Sequence, residues 1–407
     1  MTNTSTERRR SATTPPQARE SLRTAVGGCL AMAAVMGIGR FVYTPVLPFM
    51  LQDGSLNEVN AGIVASSNYL GYLVGALLAA RAPLPGGPYK ILMIVLFSSS
   101  LTTFVMSLTL GVYWFVAIRF LAGLASAYAF VLVANIVMQR LAELRSLRLF
   151  PIHFTGVGIG IAGSSVMIEW LGTRLVSSAE LWLASGILSL LLSLCVPFLL
   201  PPKKEAPLET KQSEQTASPS SAPSASLNKS AIRLIFAYGC FGFGYVITTT
   251  FIGAMASLTP ELAPMKSLGW LLVGLAVIPS VFLWENLAIR IGYGRAIALA
   301  CTIEAIGVAL SVLMPTITGL SIAAILLGGT FVGITSIGLI EARRIASSDP
   351  RQIVGLMTAA FGVGQVIGPS FAGYLYELKG DFLLASLVAA GALILAALLT
   401  LRRFSPH

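Results

Sequence analysis

The sequence predicts an all-α membrane protein of twelve transmembrane helices, arranged as two six-helix pseudo-repeats. Three observations carry this. The 407-residue chain is 55% hydrophobic and only 11% charged, whereas soluble domains carry about 25% charged residues. Its apolar residues fall in long blocks, and about 20 such residues cross a hydrocarbon core as one helix. Its positive charges alternate between the links that join those blocks.

Twelve blocks are expected at residues 25–50, 60–80, 89–110, 112–138, 149–171, 180–200, 231–258, 268–289, 295–314, 318–341, 353–377 and 381–401. The first is too long for the apolar segment of a signal peptide, and no small-residue cleavage site follows it closely. It is therefore the first span. Very short links join the third block to the fourth and the ninth to the tenth. Before the first block lies a polar, basic segment, 1–24, expected to be disordered. Residues 201–229, PPKKEAPLETKQSEQTASPSSAPSASLNK, are rich in Pro, Ser and charge. Such a composition builds no core, so this is a flexible linker between halves 25–200 and 230–401. Residues 402–407 form a tail.

With the N-terminus placed in the cytoplasm, 22 of the 27 Lys and Arg residues lie in inside segments and only Arg174, Lys266 and Lys379 lie outside. That bias predicts cytoplasmic termini and a linker on the same side. The expected location is a bacterial inner membrane. Topology thus accounts for the net charge of +10, and no nucleic-acid partner is expected. Cys29, Cys195, Cys240 and Cys301 all fall within spans, which argues against a disulfide framework. No metal-ligand spacing and no cofactor motif is present, and no nucleophile–base pair points to an enzyme.

The two halves are related. Helix 1 reads GIGRFVYTPVLPFM from Gly37, and helix 7 reads GFGYVITTTFIGAM from Gly242. Gly37, Gly39, Thr44 and Met50 align with Gly242, Gly244, Thr249 and Met255 at a constant offset. In the same way GVGIGIAG of helix 5 meets GVGQVIGP of helix 11, and Gly123 of helix 4 meets Gly329 of helix 10. Parallel repeats place a substrate site between the halves, near the midplane. Gly71 and Gly75 of helix 2, with Gly156, Gly160 and Gly163 of helix 5, allow close backbone approach. Gly368-Pro369 is expected to break helix 11 locally.

These stretches, with NYLGYLVGAL (68–77), RFLAGLASA (119–127), HFTGVGIGI (153–161), LGGTFVGI (327–334) and TAAFGVGQVIGP (358–369), resemble the major facilitator superfamily, and within it the uncharacterised YbfB/YjiJ-type transporters. The resemblance spans about residues 25–401. It implies the major facilitator fold, with helices 1, 4, 7 and 10 at a cavity and helices 3, 6, 9 and 12 outside. It brings no substrate. The superfamily's charged motif is reduced here: AARAPLPGGPYK after helix 2 has lost its acid, and LAIRIGYGR after helix 8 keeps Arg290, Gly292 and Arg295 without an Asp. The Gly-rich pattern ending in Gly-Pro resembles the antiporter motif of exporters, shifted from the fifth helix to the eleventh, and favours export.

Arg40 and Arg119 sit inside apolar spans, where a positive charge costs about 2.5–3.5 kcal/mol on insertion scales. At 1.5 Å per residue, both fall at a similar depth. Gly37, Tyr43 and Thr44 share the helical face of Arg40. Two readings stay open. In one, the arginines satisfy carbonyls freed around Pro45 and Pro48, or pair with Glu169. In the other, their guanidinium forks bind an anionic substrate. The resemblance adds a coupling role for Arg119. Further substrate candidates are Asn68, Tyr72, Tyr245, Thr249 and Gln365. On helix 4, Asn135 lies opposite Arg119, and the sequence does not choose which face meets the cavity. Glu304 lies mid-span, where an ionised carboxylate is costly, and is the candidate proton carrier. Glu285, Arg290, Arg295, Glu341 and Arg343 cluster at cytoplasmic helix ends as gate candidates. His153 reads as a packing residue.

The expected protein is a monomeric secondary transporter working by alternating access. Its partners are a small-molecule substrate, protons and the lipid bilayer, with efflux and an organic anion favoured. The alternatives are a transporter-derived membrane sensor, or a uniporter or importer of the same fold.

Overall fold

A computed structural model of the chain describes residues 15–81, 87–108, 111–174, 177–202, 229–257, 260–345 and 350–401. Most of the expected linker, at 203–228, lies outside the described residues, as do 1–14 and the 402–407 tail. Among the described residues, twelve helices are long and apolar enough to cross a membrane. They are α1 (Pro16–Gln52), α2 (Glu58–Ala79), α3 (Pro88–Val105), α4 (Val112–Glu143), α5 (Leu147–Gly172) and α6 (Ser178–Leu199). The second half adds α7 (Lys229–Ser257), α8 (Pro260–Ile291), α9 (Tyr293–Leu313), α10 (Ile317–Ile345), α11 (Ile353–Lys379) and α12 (Leu383–Leu401).

The helix that carries the first span begins earlier than expected, its first helical residue being Pro15, one before the span itself. Residues 15–24, expected to be disordered, are helical instead. A proline suits the first turn, whose N–H groups lack helical partners in any case. The start is tied down where the Ser21 hydroxyl donates to Ser146 Oγ at 2.9 Å and Arg23 donates to the Phe198 carbonyl.

Each half repeats one packing scheme. In the first, α1 packs on α5, α2 on α4 and α3 on α6; in the second, α7 packs on α11, α8 on α10 and α9 on α12. Glycine makes the closest approaches. A methyl group at Gly37 would collide with the Gly160 backbone, and one at Gly123 with the backbone of Asn68 and Tyr72. Across the halves, α2 packs on α11 and α5 on α8. Thr44 Oγ1 donates to the carbonyl of its repeat mate Thr249 at 2.7 Å.

Among the described residues α5 and α8 open on short 3-10 turns, α1 and α10 are irregular within their spans, and one expected break is absent. Ala33–Arg40 of α1 is π-helical, with Phe41 N bonded to Met36 O at 3.1 Å. α10 is interrupted between Gly328 and Phe331. α11 is continuous through Pro369, so the expectation of a local break there is corrected. The neighbouring helix satisfies the disturbed backbone: Ser370 N donates to Ser66 Oγ of α2 at 3.2 Å, as is usual for prolines in membrane helices.

Between α1 and α2, Asp53 accepts from Ser55 N at 3.0 Å and from Ser178 N at 2.9 Å, at the start of α6. Partial burial raises this carboxyl and is the largest single influence, but the bonds from Ser55 and Ser178 together hold it below the ordinary carboxylate value. A group lowered in the folded state stabilises above its unfolded value, about 3.9. That contribution is lost as pH falls through the folded value. Asp53→Asn should therefore flatten the acid limb of the stability curve. Because the side chain is exposed, the loss at neutral pH stays below about 1 kcal/mol. Thermal melts from neutral to acid pH check this, and an acid limb as steep as wild type contradicts it.

Candidate functional site

A cavity of about 440 Å³ lies between the halves, lined by α1, α2, α4, α5, α7, α8, α10 and α11. It opens at the end of the bundle where α4 passes into α5, past Leu147, Phe150, Glu285 and Arg343. The other end is closed by the Thr44–Thr249 bond and by Ser370 Oγ donating to Ser66 Oγ at 2.8 Å. Arg40, Tyr72, Tyr245 and Gln365 line the cavity.

Arg40 is 4% exposed. Its guanidinium lies 3.7 Å from the Tyr72 ring centroid, 5.0 Å from Tyr69 and 5.5 Å from Phe41. Desolvated cation–π contacts contribute about 2 kcal/mol. They offset much of the cost of a charge in the span. Its polar contact with Gln365 is long, Nη2 to Oε1 at 3.4 Å, and its Nε is buried without a partner among the described residues. Gln365 also donates through Nε2 to the Tyr245 hydroxyl. The repeat mates Arg40 and Tyr245 are thus joined through one amide. Tyr245 lies nearly parallel to Phe331, at 5.6 Å and 10°, and to Phe361, at 5.7 Å and 5°.

Arg119 plays a different part. It is absent from the cavity lining and 2% exposed. Its Nη1 donates to Gly39 O at 3.0 Å and its Nη2 to Arg40 O at 2.7 Å. In a regular α-helix the Arg40 carbonyl accepts from the N–H four residues on. Here Thr44 N turns to Phe41 O at 3.3 Å, and the Arg119 fork takes its place. The guanidinium also lies 5.2 Å from the Tyr43 ring and 5.8 Å from Trp182. Neither arginine meets a carboxylate among the described residues, and Glu169 is exposed.

The remaining candidates divide. Tyr43 points away from the cavity and donates to Ala61 O at 2.9 Å, because the helix is interrupted by a turn at Phe41–Val42, where Thr44 N bonds to Phe41 O, and this shifts the phase on which Tyr43 and Thr44 were grouped with Arg40. Asn68 donates to the Arg119 carbonyl at 2.8 Å. Thr249 donates within its own helix, to Val246 O at 2.9 Å. On α4 the cavity face is that of Asn135, together with Phe130 and Met138. Glu285 and Arg343 line the cavity mouth. Glu341 pairs with Arg344 at 3.4 Å, while Arg290 and Arg295 are exposed. Glu304 is 0% exposed, and neither carboxyl oxygen has a hydrogen-bond partner among the described residues. His153 is buried between Phe150 and Phe154, at ring distances of 4.4 and 4.0 Å.

Sequence reasoning missed Met36, Phe331 and Phe154 in the lining. Apolar residues carry no signal that separates a cavity wall from a lipid-facing surface.

Twelve spans in two repeated halves around a cavity closed at one end define a multi-pass membrane transporter of the MFS type. The chain belongs to the family described as uncharacterised MFS-type transporter YbfB, whose profile matches residues 32–401. It is 23% identical over 372 residues to the uncharacterized MFS-type transporter YcaD of Escherichia fergusonii, covering 90% of this chain and 92% of that one. Among solved structures it is similar to a point mutant of the nucleoside transporter NupG, with a TM-score of 0.75, 18% identity and coverage of 94% and 98%. A bacterial homologue of the human lysosomal transporter Spinster, inward-facing and occupied, matches with a TM-score of 0.64, 16% identity and coverage of 96% and 97%.

Proposed function

We propose that the protein is a proton-coupled secondary transporter that moves a small organic anion with an apolar or aromatic body by alternating access. The observation that carries this reading is Arg40: a buried guanidinium at the cavity wall, cushioned by aromatic rings and without a carboxylate partner among the described residues. A substrate carboxylate or phosphate would complete it, and the parallel rings of Tyr245, Phe331 and Phe361 would receive a flat body. With both termini cytoplasmic in a bacterial inner membrane, the open end faces inward, which fits a substrate collected from the cytoplasm for efflux. The gate is assigned to Glu285 and Arg343 at the mouth.

A second reading is favoured by two observations. The likeness to NupG, together with the amides of Gln365 and Asn135, suits an uncharged nucleoside entering by the same route. Flux into proteoliposomes of either substrate class tests both. Transport of aryl carboxylates but not nucleosides supports the first reading, and the reverse overturns it.

Glu304 is assigned as the proton carrier. It faces Thr330 at the interruption of α10, as well as Cys301 of its own helix and Tyr245 of α7. Thr330 Oγ1 donates instead to the Leu326 carbonyl at 2.7 Å. Tyr245 links onward through Gln365 to Arg40, so a charge at Glu304 reaches the anion subsite. Glu304→Gln should fold, bind substrate and lose the dependence of flux on a pH gradient. A wild-type pH profile in that variant removes Glu304 from the coupling route.

A further inference from the structure

We propose that a basic pocket at the same end of the bundle, between α1, α4 and α6, binds the phosphate headgroup of an anionic phospholipid. The pocket measures about 620 Å³ and is lined by Arg19, Arg23 and Arg140, with Glu20, Thr24 and Leu199 among its other walls. Arg19 and Arg23 stand one turn apart on α1, where like charges repel unless an anion lies between them. Arg140 joins them from α4. The acids nearby are Glu20 and Glu143, both of which act on Arg140, so cations remain in excess.

The positive-inside bias accounts for the sign of charge at this end. It does not account for three guanidiniums from two helices converging on one hollow. Two of them are held in place: Arg23 donates to the Phe198 carbonyl and Arg140 to the Pro201 carbonyl, at the end of α6. Each guanidinium carries five N–H donors, so these bonds fix the forks and leave donors for phosphate oxygens.

A lipid is favoured over free phosphate by what flanks the pocket. Leu22 on α1 and Leu194 and Phe198 on α6 are 53%, 56% and 72% exposed. They form apolar surface beside the arginines on the exposed sides of α1 and α6, where acyl chains would lie. Basic pockets between helices at the cytoplasmic interface are suited to anionic headgroups.

The test is native mass spectrometry of the full chain with equal amounts of phosphatidylglycerol and phosphatidylcholine. Wild type should retain phosphatidylglycerol preferentially. Arg19→Gln should weaken that retention about fivefold, the effect of one arginine near an anionic headgroup. Arg19 is exposed and its replacement leaves the two carbonyl bonds intact, so folding should persist. Arg148→Gln, an exposed residue at the same end with the same charge change, should have no effect. Equal retention of both lipids, or equal losses in the two variants, overturns the site. Displacement of the lipid by millimolar inorganic phosphate overturns the choice of lipid over free phosphate.

Discussion

Arg40→Gln is expected to weaken organic-anion binding by about tenfold to a hundredfold and to stop transport, while the protein still folds. Hydrogen bonds to a charged group contribute about 1.5–3 kcal/mol, which sets that range. Folding should survive because glutamine keeps a polar tip near Gln365 and removes a charge that costs about 2.5–3.5 kcal/mol to hold in the span. The lost cation–π contacts to Tyr72, Tyr69 and Phe41 work in the opposite direction and are of similar size. Melting temperature and substrate affinity, measured on one preparation, separate the two effects. A collapse in melting temperature with no affinity change in the surviving fraction would assign Arg40 to structure alone.

Arg119→Lys is expected to destabilise the protein by about 2–4 kcal/mol, although it preserves charge. The Arg119 fork spans two carbonyls, those of Gly39 and Arg40. A lysine head is a strongly hydrated point charge and does not reproduce the planar fork. One carbonyl then loses its donor in a buried site, and the ammonium is costlier to keep dry. The π-helical turn that presents Arg40 should relax with it, so transport falls as well. Unfolding in detergent measures the first effect. Wild-type stability in Arg119→Lys would show that something other than the fork holds the break in α1.

The architecture was legible because bilayer thickness and backbone hydrogen bonding leave few choices for a long apolar block. The repeat offset was legible too, and it pairs Thr44 with Thr249, which meet across the halves. Two features escaped. A helical period of 3.6 carried through residues 40–44 groups Tyr43 and Thr44 with Arg40, but the turn at Phe41–Val42 that follows the π-helical segment rotates them away. The proline of α11 announces a break that Ser66, on a distant stretch of chain, makes unnecessary. Arg40 stood out because a charge in a span is costly. Phe331 and Phe154 did not, since an aromatic residue is equally at home against lipid, against a neighbouring helix or in a cavity wall. The face of α4 also needed coordinates: both Arg119 and Asn135 are polar, and only the packing shows that Arg119 supports α1 while Asn135 meets the cavity.

The most direct test of the central claim is thermal stabilisation of the purified protein by benzoate, benzamide, benzylamine and uridine, on wild type and on Arg40→Gln. An anion subsite at Arg40 predicts stabilisation by benzoate in wild type alone, with benzamide and benzylamine inactive. Equal stabilisation of both proteins by benzoate, or stabilisation of both by uridine with no response to benzoate, would contradict it.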